Sequence, residues 1–291
     1  LFYTAIARII IKKLNYSIFG IRDSCWSLVI SKGNFSNSIL FRLNPIIPPK
    51  NQFWADPFIM PYKKENYVLF ENYNYKTKKG KISCGKIENN NLIEIEDVLE
   101  KEYHLSYPFV INENKNLFLI PETSQNKRLE IYKCISFPNN WKLYSTAFEG
   151  ELILDCTIYE DEIKQKWMFL NKKTTNSDGC SDLYIYLIDS LKLDKIIPHS
   201  NNPVITNSNI GRNAGSIFKE NGKVYRPSQI NHDGVYGKGL NLNEIIKLNL
   251  DEYEEINSKK CLPFFKENLS GIHHLDQKDD LFVTDICFIK K

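Results

Sequence analysis

The apolar positions of this chain fall in short runs that come in pairs, and the pair occurs five times. The first run is Phe53-Trp54-Ala55-Asp56-Pro57-Phe58-Ile59-Met60, in which a carboxylate sits between small and apolar residues; the second, Tyr67-Val68-Leu69-Phe70-Glu71, comes about fifteen residues later. The pair returns as Leu105-Ser106-Tyr107-Pro108-Phe109-Val110 with Leu117-Phe118-Leu119-Ile120-Pro121-Glu122, and as Ile153-Leu154-Asp155-Cys156-Thr157-Ile158 with Trp167-Met168-Phe169-Leu170-Asn171. The fourth and fifth copies are Gly211 to Phe218 with Val224 to Gln229, and Gly271 to Leu275 with Leu281 to Asp285. Aligned on Asp56, Tyr107, Asp155, Asn213 and His273, the steps are 51, 48, 58 and 60 residues.

Runs of this length, rich in β-branched and aromatic residues and bounded by asparagine- and lysine-rich turns, predict strands. A period near 50 predicts one four-stranded blade per copy, and hence an all-β, five-bladed β-propeller over residues 21–291. Further strands are expected between the copies, as at 81–87, 129–134 and 183–187, whereas 240–248 leaves strand and helix undecided. Strands are also expected at 22–30 and 38–43, ahead of the first copy. The fifth copy stops six residues past Asp285, so both chain ends are expected to complete one blade together, which removes exposed sheet edges. The innermost strands converge on the channel, so the polar residues that open the copies should gather in one funnel.

Residues 1–20 break the pattern. The apolar stretch Leu1 to Leu14 with a basic end predicts a short helix, too short to span a bilayer; packing on the propeller is favoured over resting on a membrane surface. Composition changes little else. A net charge of +3 over 291 residues, with no basic run interleaved with aromatics, argues against a nucleic-acid polymer as partner. Seven scattered cysteines form no metal-ligand spacing and sit mostly inside apolar strands, which points to free thiols in a reducing, cytoplasmic compartment. No metal or cofactor is expected.

The candidate chemistry lies in the funnel. Asp56 and Asp155 head inner strands, and Glu71 and Glu122 close apolar second strands where a solvated charge would be out of place. Asp56, Glu122 and Asp155 are therefore the candidate catalytic groups. The alternative for each is capping of backbone groups at the rim. Arg212 and Arg226, on the two inner strands of the fourth copy, could clamp a phosphate or carboxylate, or could equally form internal salt bridges. Glu71, His104, Tyr107, Gln229, Tyr236, His273 and His274 complete the expected substrate-binding set.

Several of these residues carry a resemblance. Trp54-Ala55-Asp56-Pro57-Phe58, His104-Leu105-Ser106-Tyr107-Pro108-Phe109, Pro121-Glu122-Thr123-Ser124, Phe137-Pro138 with Trp141, Pro198-His199 with Asn202-Pro203, Arg226-Pro227-Ser228-Gln229 and Tyr236-Gly237 resemble the propeller domain of glucosamine inositolphosphorylceramide transferases. The resemblance runs from about Trp26 to the C-terminus. More distantly, Ala55-Asp56-Pro57 is similar to the first-blade motif of five-bladed arabinanase, xylosidase and fructosidase-type glycosidases. Their blade-three aspartate is matched by Asp155, but their blade-four glutamate is not matched by Arg212-Asn213-Ala214-Gly215. The resemblance implies glycosyl transfer in surface glycan or glycolipid synthesis, with glycoside hydrolysis and a non-catalytic glycan-binding module as the alternatives. It also implies a sugar donor, nucleotide- or phosphate-linked, a glycan or glycolipid acceptor, and a partner glycosyltransferase; peripheral contact with the inner face of a membrane is the alternative for the Leu1 to Leu14 segment.

Overall fold

Nine of the ten apolar runs of the repeat are strands, and each pair heads its own sheet; the first run of the fourth copy, Gly211 to Phe218, is strand only from Phe218, preceded by an isolated bridge of Asn213 to Ser228. The computed structural model describes residues 25–232 and 235–289. The expected N-terminal helix lies outside them. The first strand, β1 (Cys25–Lys32), precedes blade one, which is β2 (Gln52–Tyr62), β3 (Glu65–Asn74), β4 (Lys79–Glu88) and β5 (Asn91–Leu99). Blade two is β6 (Ser106–Glu113), β7 (Asn116–Glu122), β8 (Leu129–Ser136) and β9 (Asn140–Ala147). Blade three is β10 (Leu152–Glu160), β11 (Lys166–Lys173) and β12 (Asp182–Ile188), edged by β13 (Ile196–Pro198) and β14 (Ile205–Thr206). Blade four is β15 (Phe218–Glu220), β16 (Lys223–His232), β17 (Val235–Leu248) and β18 (Tyr253–Cys261), so the undecided stretch at 240–248 is strand.

Blade five is assembled from both ends of the chain. Its inner strands are β19 (Leu269–Lys278) and β20 (Leu281–Phe288), and β1 adds to β20 antiparallel, from Cys25 opposite Phe288 to Lys32 opposite Leu281. The strand expected at 38–43 is not formed. Leu40–Arg42 is a single 3-10 turn with Ile39 and Phe41 exposed, because the chain here only travels from the end of β1 to blade one, anchored by buried Phe35 and Leu43. Among the described residues the helices are four such turns, and no helix is long and apolar enough to cross a membrane.

The apolar core lies between neighbouring blades. Phe58, Leu69 and Ile82 of blade one join Leu105, Leu119 and Ile120 of blade two and Cys156, Met168 and Leu170 of blade three in one buried cluster. The repeat has a backbone cause as well. In four blades the pairing of the innermost strand with its neighbour skips two residues at one place: Asp56-Pro57, Tyr107-Pro108, Asp155-Cys156 and His273-His274. Asp56, Tyr107 and Asp155 take left-handed backbone angles there, with φ of 51°, 44° and 44°. Few non-glycine residues adopt that region, and a bulge re-aims the side chain it carries. In blade four the matching turn uses Gly215 (φ 131°), where an added Cβ would come within 1.8 Å of the Leu275 carbonyl oxygen.

Candidate active site

The bulges aim Asp56 and Asp155 into the mouth of the central channel, while Glu71 and Glu122 reach it from the paired strands, opposite Ala55 and Ser106. A cavity of about 240 Å³ results, lined from all five blades and containing Asp56, Glu71, His104, Glu122, Asp155, Arg212, Tyr236 and His273. Eight of the twelve residues expected at the site are thus brought together. Trp26, Phe53, Tyr73 and Ser106 line the same cavity without standing out in the sequence; Trp26 comes from the far end of the chain, on the strand that closes blade five.

Two charged networks organise the cavity. In the first, Arg212 Nε donates to Asp155 Oδ2 at 2.6 Å and its Nη2 stands 3.5 Å from Glu122 Oε2. The Ser124 hydroxyl donates to Glu122 Oε1 at 2.7 Å. The guanidinium also lies 5.3 Å over the Tyr236 ring, and the Gln229 side chain donates to the Tyr236 hydroxyl at 3.3 Å. In the second, Asp285 accepts four donors: the Asp56 N–H (3.0 Å), the His273 N–H (3.2 Å), the His274 N–H (3.1 Å) and His273 Nδ1 (2.8 Å). His273 then presents Nε2 at 3.5 Å from Asp56 Oδ1. Asp285 is not among the residues the sequence singles out, yet it closes the apolar run of the fifth copy as Glu71 and Glu122 close theirs.

Burial sets the proton inventory. It pushes the Asp56 carboxyl up to about 7, helped by the charges of Asp155 and Asp285 and opposed by His273. Burial and the Asp155 charge push Glu122 up to about 8, against Arg212 and Ser124. Glu71 is raised well above the carboxylate range by burial and then by Asp56 and Glu122; His104, 3.5 Å away, is itself held down by burial. Burial alone would lower His273, but the charge and hydrogen bond of Asp285, with Asp56, carry it above its ordinary value; Asp285 is held low by that same partner despite its burial. Three carboxyls raised by burial, Asp56, Glu71 and Glu122, thus share a single cavity.

The remaining expected site residues lie elsewhere. Tyr107 is fully buried beneath the cavity, and its hydroxyl donates to the Gly215 carbonyl (3.1 Å) and accepts from the Gly215 N–H (2.9 Å). His274 is buried beside it, packed edge-on to Phe58 and Tyr107, and burial pushes it down to about 3, so it is neutral. Gln229 is buried behind the lining; its side chain donates to the Tyr236 hydroxyl and accepts from Asn231, and its backbone N–H donates to the Arg212 carbonyl. Arg226 does not join Arg212. Its guanidinium is fully buried, holds Glu255 in a two-point bond (2.8 and 2.7 Å) and donates to Asn213 and the Ile210 carbonyl. Of the two readings of that arginine, the internal salt bridge is the one formed, and Arg212 and Arg226 make no clamp in the cavity.

A third network stands behind the wall. Buried Glu130 accepts from Tyr103 (2.7 Å), Tyr132, Asn126 (2.6 Å) and Arg128 (2.8 Å), and so fixes the turn 123–128 that carries Ser124. Gln125 of that turn accepts the His104 N–H at 3.0 Å. As for metals, the ligand atoms of Asp56, His273 and Asp285 lie within 4.8 Å of one another, but His273 Nδ1 and Asp285 Oδ1 are already engaged with each other.

The family described as "Glucosamine inositolphosphorylceramide transferase 1, N-terminal" matches residues 46–276. Glucosamine inositolphosphorylceramide transferase 1 of Arabidopsis thaliana is 29% identical over 262 residues, covering 86% of this chain and 32% of the relative. The protein of the same name from Oryza sativa subsp. japonica is 30% identical over 213 residues, covering 72% of this chain and 28% of the relative. The chain thus spans about a third of the length of the curated relatives it matches. Among solved structures, a thermostable family-43 glycoside hydrolase superposes with a TM-score of 0.59 at 12% identity, over 84% of this chain and 90% of that one. The catalytic domain of a Coprinopsis cinerea GH62 alpha-L-arabinofuranosidase gives a TM-score of 0.59 at 11% identity, over 89% and 97%. At such identities the likeness is one of fold alone.

Proposed function

Since the chain belongs to the glucosamine inositolphosphorylceramide transferase N-terminal family, we propose that its funnel is a glycosyl-transfer site serving the assembly of a surface glycan or glycolipid. One observation carries the reading: Asp56 and Glu122 face one cavity, and burial leaves Glu122 holding a proton at neutral pH while Asp56 titrates near neutrality. Those are the requirements of an acid and a base working together on one bond.

With a sugar held between them, Glu122 gives its proton to the oxygen leaving the anomeric carbon. Asp56 takes the proton of the acceptor hydroxyl as that oxygen forms the new bond. One C–O bond breaks, one forms, and each carboxyl changes by one proton. Asp155 orients Arg212, and Arg212 and Ser124 together hold Glu122 in place. Asp285 and His273 do the same for Asp56.

A specific observation favours hydrolysis as the second reading. A phosphate leaving group needs positive charge rather than a proton, and Arg212, the arginine of the cavity lining among the described residues, is already bonded to the Asp155 carboxylate and set against Glu122. Water in place of the acceptor would make the same pair a glycosidase.

The test is turnover. Incubation with nucleotide sugars plus acceptors, and separately with oligosaccharides, should give product with one set, and Asp56→Asn should cut the rate by a factor on the order of 10²–10⁴ while ligand binding survives. Full turnover in both Asp56→Asn and Glu122→Gln would remove the two carboxyls from the chemistry, and binding of glycans with no turnover at all would replace the enzyme by a glycan-binding module.

A further inference from the structure

The propeller channel does not run through the molecule beneath this site. Tyr107 belongs to blade two and its hydroxyl is hydrogen-bonded to both backbone groups of Gly215 in blade four, a blade that is not its neighbour. The side chain therefore crosses the axis. Its ring packs against Phe58 of blade one (4.9 Å between centroids) and His274 of blade five (5.3 Å), and all three residues are completely buried. Blades four and five are also joined there by the Leu275 N–H on the Ala214 carbonyl at 2.8 Å. The Tyr107 N–H meanwhile donates to Asp56 Oδ2 at 3.2 Å, so the plug lies directly under the base.

All five blades contribute to the lining, so the cavity is ringed above this floor. Its volume of about 240 Å³ falls below the 300–1,000 Å³ or so that holds a drug-sized ligand. Aromatic side chains stand along its rim: Trp26 of blade five, 4.0 Å from the His273 ring, exposed Tyr236 of blade four, and the stacked Phe53 and Tyr73 of blade one, 4.6 Å apart. Aromatic faces are well suited to the apolar faces of sugar rings.

Resting on the carbohydrate reading of the site, we infer that the site is a blind pit that admits only the end of a glycan. One terminal sugar occupies the space between Asp56 and Glu122, and the rest of the substrate stays outside, over the aromatic rim. The bond acted on is then the one joining the terminal sugar to its neighbour. An internal linkage cannot reach the acids, because the chain would have to continue past the pit on two sides.

Fluorescently labelled wild-type protein on an array of defined glycans tests this directly, using pairs that differ only by one extra sugar placed on the terminal residue. Bound glycans should share a terminal residue whatever their interior, and capping should lower the signal about tenfold or more, equivalent to about 1.4 kcal/mol. Equal binding of capped and uncapped partners, or a set of binders sharing an internal sequence, would overturn the pit while leaving the carbohydrate reading in place. Retention of no glycan at all would overturn the carbohydrate reading and the inference with it.

Discussion

Asp285→Asn removes a buried negative charge while keeping the shape of the side chain. The wild-type carboxylate is completely buried and accepts three backbone N–H groups and the His273 ring. Bonds to a charged group contribute roughly 1.5–3 kcal/mol each, but four of them do not add, since the same charge carries a desolvation cost. Removing one member of a buried ion pair costs about 3–5 kcal/mol. Asparagine keeps an acceptor for the three donors now on Oδ1, and turns an NH₂ toward the Asp56 N–H, which loses its partner. The lower end of that range is therefore expected, about 3 kcal/mol at neutral pH, or a melting temperature lower by roughly 6–12 °C. The deficit should depend on pH in a definite sense. His273 is raised above its ordinary 6.5, so its contribution is present below that value and lost as pH rises through the raised one. Asp285 is depressed below 3.8, so its contribution is present above that value and lost as pH falls through the depressed one. The difference between variant and wild type should be largest between the two limits and shrink beyond either. Urea unfolding across pH, with the His273 ring followed by NMR, measures both quantities. A variant within about 0.5 kcal/mol of wild type at neutral pH, as for a surface substitution, with an unmoved His273 midpoint, would refute the account of this network.

Two other outcomes are expected. Arg226→Ala strands buried Glu255 without its cation and should cost roughly 3–5 kcal/mol with ligand affinity unchanged in the folded variant; weakened binding by calorimetry would return Arg226 to the site. Turnover should trace a narrow bell in pH, rising as Asp56 ionises through about 7 and falling as Glu122 loses its proton through about 8; a profile flat from pH 6 to 9 or so would remove both from acid–base roles.

The repeat is legible because propeller geometry writes itself into spacing. One inner strand and its neighbour make one copy, and the polar residue that re-aims at the bulge stands out against apolar flanks. That is why Asp56, Asp155, Glu71 and Glu122 can be placed in the funnel. Direction along the strand is not legible. Arg226 lies two residues deeper than Ser228, which bridges Asn213, and that is the depth of the core residues Leu69 and Ile120, two residues below Glu71 and Glu122. An arginine at a core position needs an internal partner, and Glu255, one strand further out than β17, is nowhere near it in sequence. Tyr107 shows the complementary difficulty: it sits at a bulge like Asp56, but its length carries it across the axis, and nothing local reports how far the opposite wall is. Trp26 reaches the cavity only because β1 pairs with β20 from the other end of the chain.

That meeting of ends has a mechanical side. In the pairing of β1 with β20, Cys25 lies opposite Phe288 and Lys32 opposite Leu281, so the strand ends nearest the two termini emerge together at one end of the ladder. Tension applied there loads the rungs one after another, like a zipper, instead of shearing all of them at once. The first rung to open is Cys25 with Phe288 and the second is Trp26 with Cys287. A modest pull between the termini would therefore strip the tryptophan wall from the cavity while most of the seam, and the ring it closes, still held.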